Sequence, residues 1–179
     1  MLLPSYLFQD EFSEFYDVIM QMPHTEKKYL KGETIIGPGS ERPCCFFVLE
    51  GLATFSILHE SGRSKTSTFR GRHTIFPLYY SYSSTIMEQC MEVTAFTDIL
   101  VAQFSRQQIY TLMVKYSGFA LNMVDCYCKY ATTLQYDLTS QMFDNTLMKT
   151  SNFLYIYLKY MNKKSNNMIL IIPGDQPMR

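Results

Sequence analysis

At Ser105 the spacing of apolar residues changes from short, turn-punctuated runs to a helical repeat, and that change divides the chain into two kinds of structure. Upstream, Ile35-Ile36 stops at Gly37-Pro38-Gly39-Ser40, and Cys45 to Leu49 is an unbroken apolar run ended by Glu50-Gly51. Ala53, Phe55 and Ile57 alternate with smaller or polar neighbours up to Glu60-Ser61-Gly62-Arg63, which reads as a hairpin loop. Thr66, Thr68 and Phe69 lead to Gly71, and Val93, Ala95 and Ile99 to Phe104 close the series. Several short strands at regular spacing predict a mainly β protein, a sandwich or barrel with flanking helices. Gly51, between two strand runs, stands where a turn of positive φ favours glycine.

Downstream, Ser105-x-x-Gln108 is a capping-box signature that opens a helix. After Gly118, the residues Ala120, Val124, Tyr127, Ala131, Leu134 and Leu138 recur at alternating spacings of four and three. That is a heptad seam, and its spacing favours a helix paired across a dimer interface. The other reading is a helix lying on its own sheet, which needs a similar stripe. A further helix is expected from Thr146 to Met161. At the other end, Phe8, Phe12, Phe15, Tyr16 and Ile19 predict one helix within residues 6–22, terminated by Pro23.

Charge and cysteine usage narrow the function. Among 179 residues, 16 basic side chains balance 16 acidic ones, so no global field attracts nucleic acid. The five cysteines are odd in number, and Cys44-Cys45 and Cys126-x-Cys128 are too close for easy bridging, which argues for a reducing compartment. No secretory signal and no apolar run approaching the ~20 residues of a membrane span is found. A cytoplasmic protein without a membrane partner is expected. His24, His59 and His73 are scattered without metal-ligand spacing, so neither a metal nor a cofactor is expected. Asp10, Glu11 and Glu14 read as a solvated helix face. No nucleophile triad or glycine-rich phosphate loop is present, so the chain does not read as an enzyme. The rival enzyme class is a cupin-like metal-dependent barrel, which needs two or three histidines and a glutamate around its ion.

The order of helix, short strands, capped helix, heptad helix and further helix resembles the CRP/FNR superfamily of bacterial transcription regulators. The resemblance rests on Lys31-Gly32-Glu33-Thr34-Ile35 with Pro38-Gly39, on Phe47-Val48-Leu49-Glu50-Gly51, and on Phe69-x-Gly71-x-x-x-Ile75-Phe76. Thr94-Ala95 and Val101-Ala102-x-Phe104-Ser105 complete it. The pieces run in family order from about residue 29 to 160. The resemblance implies a double-stranded β-helix (jelly-roll) barrel of the cyclic-nucleotide-binding type, followed by a long dimerisation helix. It also implies a homodimer whose contacts to operator DNA and RNA polymerase are made through a winged helix-turn-helix.

In relatives that bind cyclic nucleotides, a Gly-Glu pair holds the ribose and an arginine holds the phosphate, since its fork donates two charge-assisted hydrogen bonds. The matching positions here are Pro77-Leu78 and Gln89-Cys90-Met91. Burying a phosphate there without a cation would be costly, so cyclic AMP or GMP is not the expected effector. An aromatic set replaces those groups: Phe76, Leu78, Tyr79, Tyr80 and Tyr82, with Ser84, Gln89 and Cys90 as polar neighbours. Tyr127 and Tyr130, with Met123, are candidates to reach the same cavity from the long helix. Such a lining suits a small aromatic or apolar effector, and leans toward the halogenated-phenol-sensing regulators of the superfamily. The competing reading is ordinary packing with a filled cavity, which would leave an effector-less dimerisation module. Iron–sulfur relatives carry cysteines ahead of the barrel, and none precedes Cys44. A haem or redox role for Cys90, Cys126 or Cys128 stays open.

The expected division is an effector domain at 1–104, capped and dimerisation helices at 105–143, and the start of a C-terminal region at 144–179. The winged module itself is absent from that last segment, and a truncated chain is expected. Effector binding would shift the packing of two long helices across the dimer axis.

Overall fold

The computed structural model describes residues 4–39, 44–77 and 90–162. Pro4–Leu134 forms one compact unit, and the end of the long helix with the helix after it belongs to a second. Among the described residues of the first unit, nine strands make two sheets. These are β1 (Leu7–Phe8), β2 (Thr25–Tyr29), β3 (Thr34–Ile36), β4 (Cys44–Glu50), β5 (Ala53–Leu58), β6 (Ser64–Arg70), β7 (Ile75–Phe76), β8 (Met91–Ala95) and β9 (Ile99–Ser105). One sheet has the order β1-β6-β5-β8-β3 and the other β2-β9-β4-β7. The helices are α1 (Tyr16–Met20), α2 (Arg106–Lys115), α3 (Ser117–Phe143) and α4 (Thr146–Asn162). The arrangement is the expected jelly roll with flanking helices.

The unbroken apolar run in β4 has a simple cause. A strand covered on both faces needs apolar residues at both parities. Phe46 and Val48 enter the core between the sheets, beside Phe55, Phe76, Val93 and Val101. Cys45 and Phe47 point the other way, into a second core with Ile109, Leu112, Phe119 and Met123 of α2 and α3. Strand β9 does the same, with Val101 on one side and Ala102 and Phe104 on the other. Each fully buried aromatic here contributes about 2–3 kcal/mol.

The junction at Ser105 forms as its spacing predicts. Ser105 has extended geometry, its Oγ accepts from Gln108 N at 3.3 Å, and Gln108 Oε1 accepts from Ser105 N at 2.8 Å. The hairpin between β5 and β6 closes through His59 N donating to Arg63 O at 2.8 Å. Helix α4 spans the expected residues, and Asn145 Oδ1 caps it by accepting from Met148 N at 2.9 Å.

The single helix expected within residues 6–22 does not form. Residues 7–8 are instead strand β1, paired parallel to β6, followed by a 3₁₀ turn at Ser13–Phe15 and the short α1. The sheet edge captures the backbone before a helix can close. Phe69 N donates to Tyr6 O at 2.7 Å, Gly71 N to Phe8 O at 2.8 Å, and Asp10 N to Arg72 O at 2.9 Å. Asp10 then turns the chain at φ 61°, with its carboxylate held by Arg72 Nε at 2.9 Å. Phe8, Phe12 and Ile19 are all fully buried, so the apolar spacing is real while the backbone differs.

Gly51 (φ +87°) is the turn on which β4 and β5 depend. A Cβ there would collide with the carbonyl oxygen of Asp98 and lie 2.8 Å from Ile99 Cα. At Gly62 (φ +79°) the same atom would meet open space. Gly51→Ala should therefore cost about 3 kcal/mol or more, against about 1 kcal/mol for Gly62→Ala, measured as urea unfolding midpoints. Equal losses would show that backbone strain alone, without the collision, governs both turns.

Candidate functional site

The inner face of the first sheet carries a charge where a sandwich normally holds only apolar groups. Strand register places Phe8, Arg70, Ala53 and Ala95 side by side across four neighbouring strands. Two residues away along the strands, Thr68, Phe55 and Val93 form the next row. Arg70 is 3% exposed. Its guanidinium stacks on the Phe8 ring at 3.8 Å, with Phe55 at 5.3 Å and Tyr130 of α3 at 5.7 Å. The two alanines beside it leave room for a long side chain in this row. Burial lowers its pKa to about 10, so it remains a cation at neutral pH.

Helix α3 closes this space from the other side. Phe119, Met123, Cys126 and Thr133 are buried, and Tyr130 is half-buried beside Ser67. Desolvation raises the Tyr130 hydroxyl and pushes the Cys126 thiol up to about 12, so both are neutral at physiological pH. Polar pins fix the helix to the N-terminal segment. Thr133 Oγ1 accepts from Ser5 N at 2.9 Å, Asn122 Nδ2 donates to Glu11 O at 3.1 Å, and Lys129 Nζ pairs with Glu11 Oε2 at 2.7 Å.

The residues expected to bind an effector separate into three groups. Leu78, Tyr79, Tyr80, Tyr82, Ser84 and Gln89 lie outside the described residues. Phe76 is fully buried between the sheets, its ring centroid 5.3 Å from that of Phe46 and 5.5 Å from that of Phe55. Through Phe55 it adjoins the Arg70 cluster. Cys90 is partly exposed, immediately before β8. Tyr130 faces the Arg70 cluster, whereas Tyr127 is 55% exposed and does not. Met123 packs in the helix-facing core rather than beside Arg70. Strand parity was the signal for Arg70 and Thr68: they stand two residues apart on β6, on the face that Phe55 and Ala53 share, beyond the bulge that turns Thr66 to the exposed side.

The heptad residues lie one position along from the buried stripe. Val124, Tyr127 and Leu138 are more than half exposed, while Ala120, Ala131 and Leu134 are partly covered. Both readings of this helix thus have a physical counterpart: one stripe packs on the barrel and the next is left open.

His24 sits by Met22 O, His59 in the β5–β6 hairpin, and His73 beside Asp10, so the three imidazoles lie apart. Among the described residues no group of three or more His, Cys, Asp or Glu is placed to hold a metal ion. No helix of the described residues is long and apolar enough to cross a membrane. A groove of about 530 Å³ beside Leu7, Glu50, Arg72 and His73 is open to solvent and shares no residue with the expected effector set.

Thiol chemistry follows burial. The nucleophile is the thiolate, and burial pushes Cys45 and Cys126 up to about 12 while Cys128 is exposed. Iodoacetamide at pH 7.5 should label Cys128 in the folded protein and reach Cys45 and Cys126 only after denaturation, as read by peptide mass mapping. Rapid labelling of Cys126 would mean that α3 lifts readily from the barrel.

Comparison with known proteins agrees with this architecture. The model of the cyclic nucleotide-binding domain matches residues 26–116. No curated protein matches the sequence. Among solved structures, CprK complexed with OCPA is 14% identical with a TM-score of 0.69, covering 94% of this chain and 75% of its own. A CooA mutant from Carboxydothermus hydrogenoformans is 17% identical at 0.66, covering 81% and 61%. FixK2 from Bradyrhizobium japonicum is 19% identical at 0.59, covering 80% and 68%. The chain belongs to the cyclic nucleotide-binding domain family and has the fold of the CRP/FNR regulators.

Proposed function

We propose that this chain is the effector-sensing, dimer-forming portion of a bacterial transcription regulator, not an enzyme, and that it acts in the cytoplasm. The observation that carries the reading is the double stripe on α3. Phe119, Met123, Cys126 and Thr133 tie the helix to the barrel, and Val124, Tyr127 and Leu138 present apolar surface one residue further round. A helix built this way connects a barrel interior to whatever covers its other face. A second copy is the fitting cover, because alternating spacings of four and three are the repeat of paired helices.

The effector would enter between the barrel and α3, near Phe76, Cys90 and Tyr130. An aromatic or apolar molecule fits the rings that gather there: Phe8, Phe55, Phe76 and Tyr130. CprK, one of the similar folds, has been solved in complex with o-chlorophenolacetic acid, an aromatic compound. Effector contact with both barrel and helix would favour one packing of the paired helices over another. Operator DNA and RNA polymerase would be engaged by the winged helix-turn-helix of the complete regulator, consistent with the balanced charge of this chain.

The purified chain should run as a dimer, at twice the 20.9 kDa protomer mass, in light scattering. Val124→Glu combined with Ala131→Glu should give a folded monomer, since like charges would face each other across the seam. Calorimetry should find binding to members of a panel of phenols and aromatic acids and none to cyclic AMP or GMP. A monomeric parent chain, or selective binding of a cyclic nucleotide, would overturn the corresponding half of the proposal.

A further inference from the structure

The buried charge on β6 forms no ion pair among the described residues. Among the described residues, Arg70 Nε and Thr68 Oγ1 are both sealed from solvent and make no hydrogen bond. They sit on one face of one strand, two residues apart, beneath α3. The acidic group placed to act on Arg70 is Glu11, whose carboxylate is committed to Lys129 at 2.7 Å. The two other groups that face it, the Cys126 thiol and the Tyr130 hydroxyl, are neutral, as described above. Aromatic stacking on Phe8 offsets part of the cost of a buried guanidinium. It leaves the Nε proton unused, and an unpaired buried donor is costly.

We infer that Arg70 and Thr68 form the anion-receiving end of the effector pocket, and that the effector is a small aromatic carboxylate. Its ring would lie among Phe8, Phe55, Phe76 and Tyr130, and its carboxylate would accept from Arg70 Nε and Thr68 Oγ1. This rests on the proposed sensor reading and adds the charge of the ligand to it. It also moves the cation. The guanidinium that cyclic-nucleotide-binding relatives carry where this chain has Gln89-Cys90 is supplied instead from the end of β6. Because both atoms are closed to solvent, the ligand enters only when α3 or the rings over the strand give way, so loading the pocket displaces part of that cover.

The test uses benzoate and its uncharged isostere benzamide on the full chain. Calorimetry and thermal melting should show benzoate binding at least tenfold more tightly than benzamide and raising the melting temperature. In Arg70→Met, benzoate should lose that advantage, benzamide should bind as before, and the ligand-free protein should melt at or above the parent temperature. An arginine serving only as packing would give a lower melting temperature and leave the benzoate-to-benzamide ratio unchanged. Thr68→Val is isosteric and decides the matter should Arg70→Met not fold: a threefold to tenfold loss for benzoate alone is expected. Equal affinity for the two probes in the parent chain would overturn the anion assignment and leave an apolar sensor standing. Silence toward both probes and toward the phenol panel would overturn the sensor reading and this inference with it.

Discussion

The pairing of Cys44–Glu50 with Ile99–Ser105 is the constraint from which the rest of the molecule follows. These two strands are apolar on both sides, so they can exist in water only if something covers each side. One cover is the opposing sheet, which closes the jelly roll. The other is the layer of α1, α2 and α3. The helices are therefore held by the same strands that hold the sandwich, and Phe46 and Phe47, adjacent in sequence, serve different cores. A disturbance in one layer reaches the other through a single peptide unit. That coupling, which the proposed sensor role would use, arises here from burial alone.

Most of this architecture was legible because local and global signals agree. The run from Cys45 to Leu49 marked a strand, the capping box at Ser105 located the change to helix, and Gly51 marked a turn of positive φ. The cover on both faces of the strand and the collision a Cβ would meet at the turn are seen only in three dimensions. The N-terminal segment was misread because Phe8, Phe12, Phe15 and Ile19 satisfy a helical repeat while their backbone does not. Apolar periodicity reports which side chains are buried; it is silent on whether a neighbouring sheet edge will claim the amides first. Here β6 claimed them, and a left-handed Asp10 completed the departure.

The candidate site was half legible. Tyr130 and Phe76 adjoin the buried cluster, whereas Tyr127 sits with the exposed seam. Arg70 was passed over for a physical reason. Sequence reasoning assigns charges to the surface unless a motif says otherwise, and the motif position for a cation is occupied by Gln89 and Cys90. What betrays Arg70 is its parity with Thr68 and Phe55, together with the alanines at 53 and 95. A large polar residue with a phenylalanine on one side and small alanines on the other is a pattern that only strand register reveals.

Strand β1 has one more consequence. Without Leu7–Phe8, the flank of β6 would present a row of unsatisfied amides and carbonyls, the kind of bare margin that recruits strands from other molecules. The same few residues cover that margin, stack Phe8 on Arg70 and hydrogen-bond through Ser5 to Thr133 of α3. The beginning of the chain is thus a buckle: whatever loosens the grip on α3 also bares the sheet to self-association, so protection from fibril-like growth and freedom of the helix to move are opposed by construction.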